Sequence, residues 1–390
     1  MKKILFLLSL LFFCLHGTTQ GLITINQDFN KALSLAAQED KMVFIDFYTT
    51  WCAPCKKLEN LVFQNDSIKN ILKKDFILLK YNAEDDSVYN LSKKHHISSY
   101  PTGLILNKSG YVVNRSYGFS GENFQSLSTS VIEFTKESSA LNAKNKIIKG
   151  YSNTIDITKY PQFYIDYINR TNTKIQASVV NEYWRSQKDV LSEEYFSTLL
   201  YFANEAADPI AEDALANKAN YIELYGTTDV ETLMYFLTSG KFKRAISEKD
   251  QLKYDEAVHF ARKALSKEWI DDVVSSFERK FLIVQDKWEQ VFTLYENQKN
   301  EGKLSNGAIN HFCWDIYKKC NDPQVIDKCL IWMKQVTEEE PSYAYLDTYA
   351  FLLYKSGDKT ETKRIAQLAI EAAKKENEST KNLEALLKKL

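Results

Sequence analysis

The chain has 390 residues, in which 50 Lys and Arg stand against 51 Asp and Glu for a formal net charge of -1. This balance argues against a nucleic-acid partner, because binding to phosphates requires a basic surface that displaces counterions. The length predicts two or three domains, each able to bury a core. The 12 glycines and 6 prolines are too few to separate the short strands of a β-sandwich, so long helices should form much of the chain.

Residues 1–20 have the pattern of a secretory signal peptide. Two lysines precede an apolar run over residues 4–15, and small or polar residues follow. The run is shorter than the roughly 20 apolar residues that span a membrane. We therefore expect an exported protein, periplasmic or in another oxidising compartment. A lipid anchor at Cys14 is the minor alternative, because two phenylalanines stand directly before it where a lipoprotein signal has small residues.

Short apolar runs in the first part of the chain have the length of buried strands. They occur at residues 42–47, 76–79 and 103–106, and helical stretches separate them. Strands that alternate with helices predict an α/β sheet with helices on both faces. A closing helix over residues 124–134 completes this domain, to which we assign residues 21–138.

Residues 139–390 lack strand signals and predict an all-α domain. Near its end, helical faces over residues 346–353 and 366–370 flank a turn at Gly357. This pair resembles the helix-turn-helix unit of tetratricopeptide repeats, whose period is about 34 residues. A non-repetitive helical bundle is the alternative. In the repeat interpretation, a groove between helices would bind a protein partner.

The segment Trp51-Cys52-Ala53-Pro54-Cys55-Lys56 follows the first predicted strand. A Cys-x-x-Cys pair can serve redox chemistry or supply half of a zinc site. Zinc would need two more ligands, and the rest of this domain has no cysteine. His95 and His96 are adjacent and poorly placed to act as a pair, so we expect them at the surface or at a helix end. The sequence therefore favours a redox dithiol and predicts no metal and no cofactor.

Five landmarks occur in order along the first domain: Asp46-Phe47, Trp51-Cys52-Ala53-Pro54-Cys55-Lys56, Lys80-Tyr81-Asn82, Tyr100-Pro101-Thr102 and Gly118. In this order they resemble the thioredoxin family, over roughly residues 24 to 136. Glu59 and the segment 61–67 are more similar to the periplasmic thioredoxin-like domain of DsbD-type membrane reductases. Lys80 departs from that subgroup and resembles cytosolic thioredoxin. The resemblance implies a thioredoxin fold and a thiol–disulfide oxidoreductase.

The positions of the two cysteines suggest which is the nucleophile and which is the resolving thiol. A cysteine at a helix N-terminus is readily ionised, because the helix dipole and free N–H groups stabilise the thiolate. Cys52 is therefore the predicted nucleophile. Cys55, one turn further on, is the predicted resolving thiol, which attacks the mixed disulfide formed by Cys52. Pro54 destabilises the helix little, because an N–H group in the first turn of a helix has no helical acceptor.

Asp46 lies within an apolar strand, where an ionised carboxylate is costly unless it is paired. The family resemblance implies that Asp46 exchanges protons with Cys55 and that Lys80 lies nearby. The alternative is an aspartate at the strand edge that faces water. Glu59 is a candidate for the same proton transfer, and the alternative for it is a position facing solvent.

The resemblance also implies the residues that border the substrate: Trp51, Pro54, Tyr100, Pro101, Thr102 and Gly118. In the family the second proline forms a cis peptide bond and faces the disulfide. It would bring the Tyr100 backbone alongside the substrate chain, which would pair with it like an added strand. Tyr100 departs from the commoner aliphatic residue at this position.

The activity expected from these residues is disulfide reduction. An Ala-Pro pair between the cysteines resembles reducing members of the family more than oxidising ones. The partners would be protein disulfide substrates and a thiol electron donor in the membrane or the periplasm. The alternatives are a disulfide isomerase and a non-catalytic or chaperone-like adaptor that binds proteins through its helical domain.

Three further cysteines, Cys313, Cys320 and Cys329, lie in the helical domain. The main interpretation is that they are small buried residues, the commonest use of a free cysteine. Cys313 and Cys320 are seven residues apart on one predicted helix, or about 10.5 Å, beyond the roughly 7 Å limit for a disulfide. Any bridge should therefore join Cys320 to Cys329.

Overall fold

The structure is a computed structural model that describes residues 21–390. The predicted signal peptide and its Cys14 alternative lie outside the described residues. A five-stranded sheet has the order β1-β3-β2-β4-β5. The strands are β1 Thr24–Asn26, β2 Met42–Tyr48, β3 Phe76–Asn82, β4 Thr102–Leu106 and β5 Val112–Ser116. Pairing is parallel between β1 and β3 and between β2 and β3, and antiparallel between β2 and β4 and between β4 and β5.

Five helices accompany the sheet: α1 Phe29–Glu39, α2 Ala53–Leu58, α3 Asp66–Leu72, α4 Leu91–Lys94 and α5 Phe124–Ala143. The predicted alternation of strands and helices is confirmed. Phe44 of β2 packs edge-to-face against Phe63, Phe76 and Phe134. All residues of β2 before Tyr48 are buried. A polar residue of this central strand is therefore forced into the protein interior.

The rest of the described chain is helical, with no strand after β5 among residues 21–390. Its helices are α6 Gln162–Ile168, α7 Ala177–Ser186, α8 Glu193–Phe202, α9 Asp208–Ala216, α10 Lys218–Glu248, α11 Gln251–Ala264, α12 Lys267–Val284, α13 Trp288–Asn300, α14 Asn306–Lys319, α15 Pro323–Glu339, α16 Tyr343–Ser356, α17 Lys359–Glu376 and α18 Lys381–Leu387. The predicted all-α region is confirmed, and its tetratricopeptide-like character stays a prediction. Gly357 ends α16 in the left-handed conformation, at the predicted turn. None of the helices in residues 21–390 combines the length and the apolar character needed to cross a membrane.

The chain divides into two compact units. The first ends at Lys241 and also includes Lys263–Leu265. The second comprises Phe242–Arg262 and Ser266–Leu390. The first unit thus holds the sheet, α6 to α9 and most of α10. The predicted domain boundary after residue 138 follows the end of the strand signals and stays a prediction.

Buried charges connect the sheet to the helices of this first unit. Arg115 of β5 and Asp229 of α10 form an ion pair at 3.7 Å, and both side chains are almost inaccessible. The hydroxyls of Tyr117 and Tyr151 donate to Asp229 at 2.9 and 2.5 Å. Arg115 also donates to Nε2 of His96 at 2.5 Å. We infer that these groups must stay together, because an unpaired charge in the interior is costly.

The same cluster corrects one prediction. His95 follows α4, at the predicted helix end, but both histidines are buried and not at the surface. Burial and the neighbouring Arg115 lower the pKa of His96 to about 4. Burial alone would raise the pKa of Asp229, but Arg115 and His96 outweigh it and lower that pKa to about 2. The cluster therefore holds a neutral imidazole and an ionised carboxylate at neutral pH.

The three cysteines of the helical region are buried free thiols, as the main interpretation predicts. They lie in the core of the second unit. The choice of Cys320 and Cys329 as the pair for any bridge stays a prediction, because none of the three thiols is bridged. Cys313 also lies close to Cys329, with its Sγ 3.9 Å from the Cys329 carbonyl oxygen. Burial, together with Cys329, raises the pKa of the Cys313 thiol well above its usual value, so this thiol is protonated.

Replacing Asp229 with alanine should destabilise the protein strongly. The change leaves Arg115 charged and buried without its carboxylate, which typically costs about 3 to 5 kcal/mol. Since the folded-state pKa of Asp229 is depressed, its contribution is present above pH 3.8 and is lost as the pH falls towards about 2. Urea unfolding of the full chain at neutral pH measures the loss.

Glu223→Ala is the matched control, because Glu223 forms an exposed ion pair with Lys149 at 3.2 Å. Its loss should cost less than about 1 kcal/mol. Equal shifts of the unfolding midpoint in the two variants would contradict the structural role of the buried cluster.

Candidate active site

Cys52 and Cys55 form a disulfide at the start of α2, with their Cα atoms 5.3 Å apart. Cys52 caps the helix, and its Sγ accepts a hydrogen bond from the backbone N–H of Cys55 at 3.1 Å. Pro54 occupies the first turn, where its missing N–H has no helical acceptor. The Cys52 sulfur therefore lies where helix N–H groups and the helix dipole stabilise a thiolate once the disulfide is reduced.

Asp46 lies near the end of β2 and is buried, with 1% of its surface exposed. This excludes the alternative of a water-facing aspartate. Its Oδ2 pairs with Lys80, which stands opposite it in the β2/β3 register. Its Oδ1 has no hydrogen-bond partner in the described chain. Burial raises the pKa of Asp46 above its usual value, although Lys80 opposes that shift, so this carboxyl is a suitable proton donor and acceptor.

Lys80 connects Asp46 to a second carboxylate. Its Nζ lies 2.5 Å from Oε2 of Glu59, and the other Glu59 oxygen accepts a hydrogen bond from Gln64 at 2.5 Å. Glu59 begins the π-helical turn Glu59–Phe63, which continues α2. Burial opposes the charge of Lys80, but the two carboxylates outweigh it and raise its pKa, so Lys80 stays protonated.

A cavity of about 520 Å³ opens beside this group. Cys55, Glu59 and Lys80 all line it. Polar residues to which the sequence assigned no role, Asn26 and Asn60 among them, complete its wall. The resolving cysteine and the charged residues therefore share one solvent-accessible space, and Asp46 contacts that space through Lys80. This arrangement offers a route for a proton between the buried carboxyl and water.

The residues predicted to border the substrate also lie close to one another beside the disulfide. The Tyr100–Pro101 peptide bond is cis. Trp51 is 60% exposed, and its ring packs edge-to-face on Tyr100 at 5.9 Å. The Trp51 indole N–H donates to Glu84 at 2.8 Å, a contact that no motif predicts. Pro54 and Pro101 line a common groove of about 280 Å³ beside the disulfide helix.

The last two predicted substrate residues differ in their surroundings. Gly118 has a φ of +117°, which L side chains rarely adopt, and a Cβ there would lie 3.9 Å from the Pro101 carbonyl oxygen. Thr102 is buried, and its hydroxyl donates to the Ser99 carbonyl at 2.8 Å. The Thr102 side chain thus stabilises the loop, whereas Gly118 lies next to the Pro101 backbone. Within residues 21–390, no three His, Cys, Asp or Glu side chains are arranged to hold a metal ion.

Several known proteins are similar to this chain. The sequence model of a family described as thioredoxin-like matches residues 24–108. Thioredoxin-2 of Saccharomyces cerevisiae is 34% identical over 85 residues, which cover 22% of this chain and 75% of that protein. Protein disulfide-isomerase 1 of Dictyostelium discoideum is 26% identical over 264 residues, which cover 66% of this chain and 65% of that protein. The solution structure of a thioredoxin from Thermus thermophilus matches with 21% identity and a TM-score of 0.26, covering 32% of this chain and 90% of that one.

Asp46→Asn should slow disulfide reduction while keeping the fold, because it removes a proton-transfer group and preserves its shape. We expect a loss of about tenfold or more, since a positioned general base typically contributes about 10²-fold or more. The pKa of Asp46 is raised, so the wild-type rate should increase with pH as this carboxyl ionises. The variant should lack that increase. The assay is insulin reduction between about pH 6 and 8.

Asp75→Asn is the control, because Asp75 is exposed at the other end of the sheet and its carboxylate accepts a hydrogen bond from the Ser139 hydroxyl at 2.9 Å. Its rates should match those of the wild type. Equal rates for Asp46→Asn and the wild type throughout this pH range would remove Asp46 from the mechanism.

Proposed function

Because the chain belongs to the thioredoxin family and is a thiol–disulfide oxidoreductase, we propose that it acts as an exported disulfide reductase on protein substrates. One observation supports this most directly. The Cys52–Cys55 pair lies at a helix N-terminus, and Cys55 lines the same cavity as Lys80, the ion-pair partner of the buried Asp46 carboxyl. Export is inferred from the signal-peptide pattern of residues 1–20.

The reaction begins with the reduced protein. The Cys52 thiolate attacks one sulfur of the substrate disulfide, forms a mixed disulfide and releases the other substrate sulfur as a thiolate, which takes up a proton. Asp46 then accepts the Cys55 proton, through the groups around Lys80. The Cys55 thiolate attacks the Cys52 sulfur and releases the second substrate sulfur as a thiolate. This thiolate takes up a proton from water, and Asp46 returns the Cys55 proton to water. The substrate disulfide gains two electrons, and the Cys52–Cys55 dithiol becomes a disulfide.

A thiol electron donor in the membrane or the periplasm would return two electrons to the Cys52–Cys55 disulfide. The direction of the overall reaction is inferred from Ala53 and Pro54, which resemble the residues between the cysteines of reducing family members. Trp51 and Pro54 are both exposed on the protein surface. This end of the site is therefore open to a protein substrate.

Disulfide isomerisation is the second candidate. One relative that aligns over 264 residues is named a protein disulfide-isomerase. An isomerase would restore activity to ribonuclease with scrambled disulfides, whereas a reductase would leave it reduced. A non-catalytic adaptor is disfavoured, because such a role does not require Cys52, Cys55 and a buried Asp46 together.

Cys52→Ser should abolish insulin reduction by dithiothreitol through this protein, because the attacking thiolate is gone. Cys55→Ser should instead accumulate a mixed disulfide with the substrate, because the resolving step is lost. Mass spectrometry of the acid-quenched reaction detects that adduct. Cys320→Ala, which removes a buried thiol of the second unit, is the control and should leave the rate unchanged. Wild-type activity in the double variant Cys52→Ser, Cys55→Ser would contradict the proposed function.

A further inference from the structure

A cleft of about 790 Å³ lies next to the disulfide site, inside the first compact unit. One wall belongs to the segment between β3 and β4 and includes Glu84 and Tyr100. The other wall comes from the helical segment and includes Tyr167, Arg170 and Tyr201. We call this space the helical-wall cleft. Its second wall lies outside residues 24–108, the part of the chain that the family model matches.

The cleft is continuous with the disulfide site. Tyr100 directly precedes Pro101, and its ring contacts Trp51 of the redox motif. Glu84, on the same wall, accepts a hydrogen bond from the Trp51 indole at 2.8 Å. A substrate chain that places its sulfur at Cys52 and runs along Tyr100 therefore enters this cleft.

The two walls are held together by buried contacts. The Tyr164 hydroxyl on α6 donates to the backbone carbonyl of Lys93 at 2.5 Å. The ring of Tyr201 packs edge-to-face on Tyr164 and on Tyr167, both at 5.6 Å. On the opposite side, Lys93 forms a buried ion pair with Asp86 at 3.2 Å. The cleft is thus preformed, which reduces the entropy lost when a flexible chain binds.

The charges of the cleft indicate what it accepts. Asp86 forms an ion pair with Lys93. Glu84 accepts a hydrogen bond from the neutral Trp51 indole and keeps its negative charge at the Trp51 end of the cleft. Arg170 is exposed, and no carboxylate of residues 21–390 lies within ion-pair distance of it. Burial raises the pKa of Tyr100 and Arg170 opposes that shift, as expected if its positive charge lies near the active-site end of the cleft.

We propose that the helical-wall cleft binds an extended segment of the substrate protein beside its reducible disulfide, with an acidic side chain of that segment at Arg170. Tyrosine rings offer apolar contact to such a chain, and a guanidinium binds a carboxylate through two parallel hydrogen bonds. The inference rests on the proposed function and deepens it. The helical segment takes part in choosing the substrate, and disulfides flanked by acidic residues are reduced preferentially.

Synthetic peptides test this preference. Each peptide carries one cysteine in mixed disulfide with 2-mercaptoethanol. Glu or Lys stands at one position two to six residues from that cysteine, which spans up to about 20 Å at 3.3 Å per residue. For at least one position, the wild-type full chain should reduce the Glu peptide with a kcat/KM roughly two- to fivefold above that of the Lys peptide, as an exposed ion pair allows. Arg170→Ala should remove this preference, and Arg170→Glu should reverse it.

Arg185→Glu is the matched control, because Arg185 is exposed on α7 of the same unit and does not line the cleft. It should keep the wild-type ratio of the two peptides. An unchanged ratio in Arg170→Glu, or an equal change in Arg185→Glu, would overturn the inference. The wild-type rate on 2-hydroxyethyl disulfide, a probe too small to reach Arg170, distinguishes a failure of the proposed function from a failure of the inference about the cleft. If the wild type fails to reduce it, the proposed function is wrong, whereas reduction of it with an unchanged peptide ratio overturns only the role of the cleft.

Discussion

A carboxyl group buried in the central strand is the constraint on which the rest of the site depends. Removing a charge from water costs several kcal/mol unless a partner compensates. The partner of Asp46 is Lys80, which lies directly opposite it on β3. Lys80 also contacts Glu59 in the π-helical turn that continues the disulfide helix. The pairing of two strands and the position of the helix that carries the cysteines are thus tied to one group of charges. In the proposed mechanism, the same group supplies the proton transfer that Cys55 requires.

A second buried ion pair has the corresponding role for the helical segment. Arg115 on β5 and Asp229 on α10 are both inaccessible, and tyrosine hydroxyls complete their hydrogen bonding. Since neither charge tolerates separation, the helices up to α10 belong to the same compact unit as the sheet. This attachment allows residues far from the redox motif to form a wall beside it. The first unit is therefore larger than the region of family similarity.

Much of the fold and the chemistry of the site could be predicted because their signals are local. Strand-length apolar runs indicated β2, β3 and β4, and the Cys-x-x-Cys motif indicated the redox pair, which forms a disulfide at the start of α2. β1 was missed, because three residues carry too little pattern. The burial of His96 was missed as well, since its partner Arg115 lies 19 residues away and no spacing rule relates the two.

The helical half was harder to predict for the same reason. Periodicity reveals that helices exist, and it correctly separated Cys313 from Cys320 on one helix. Periodicity cannot show which helix faces meet. The proximity of Cys313 to Cys329 results from the packing of α14 against α15 and could therefore not be predicted. The cleft residue Arg170 carries no motif and becomes visible only once the tyrosines around it are placed.

The reduction potential of the Cys52–Cys55 couple tests the central claim most directly. It is obtained by equilibrating the mature full-length chain with mixtures of reduced and oxidised dithiothreitol or glutathione and counting alkylated thiols by mass spectrometry. A reductase should have a potential near the thioredoxin value of about -270 mV. A value above about -150 mV, close to that of strongly oxidising family members at about -120 mV, would contradict the account and reverse the direction of the reaction.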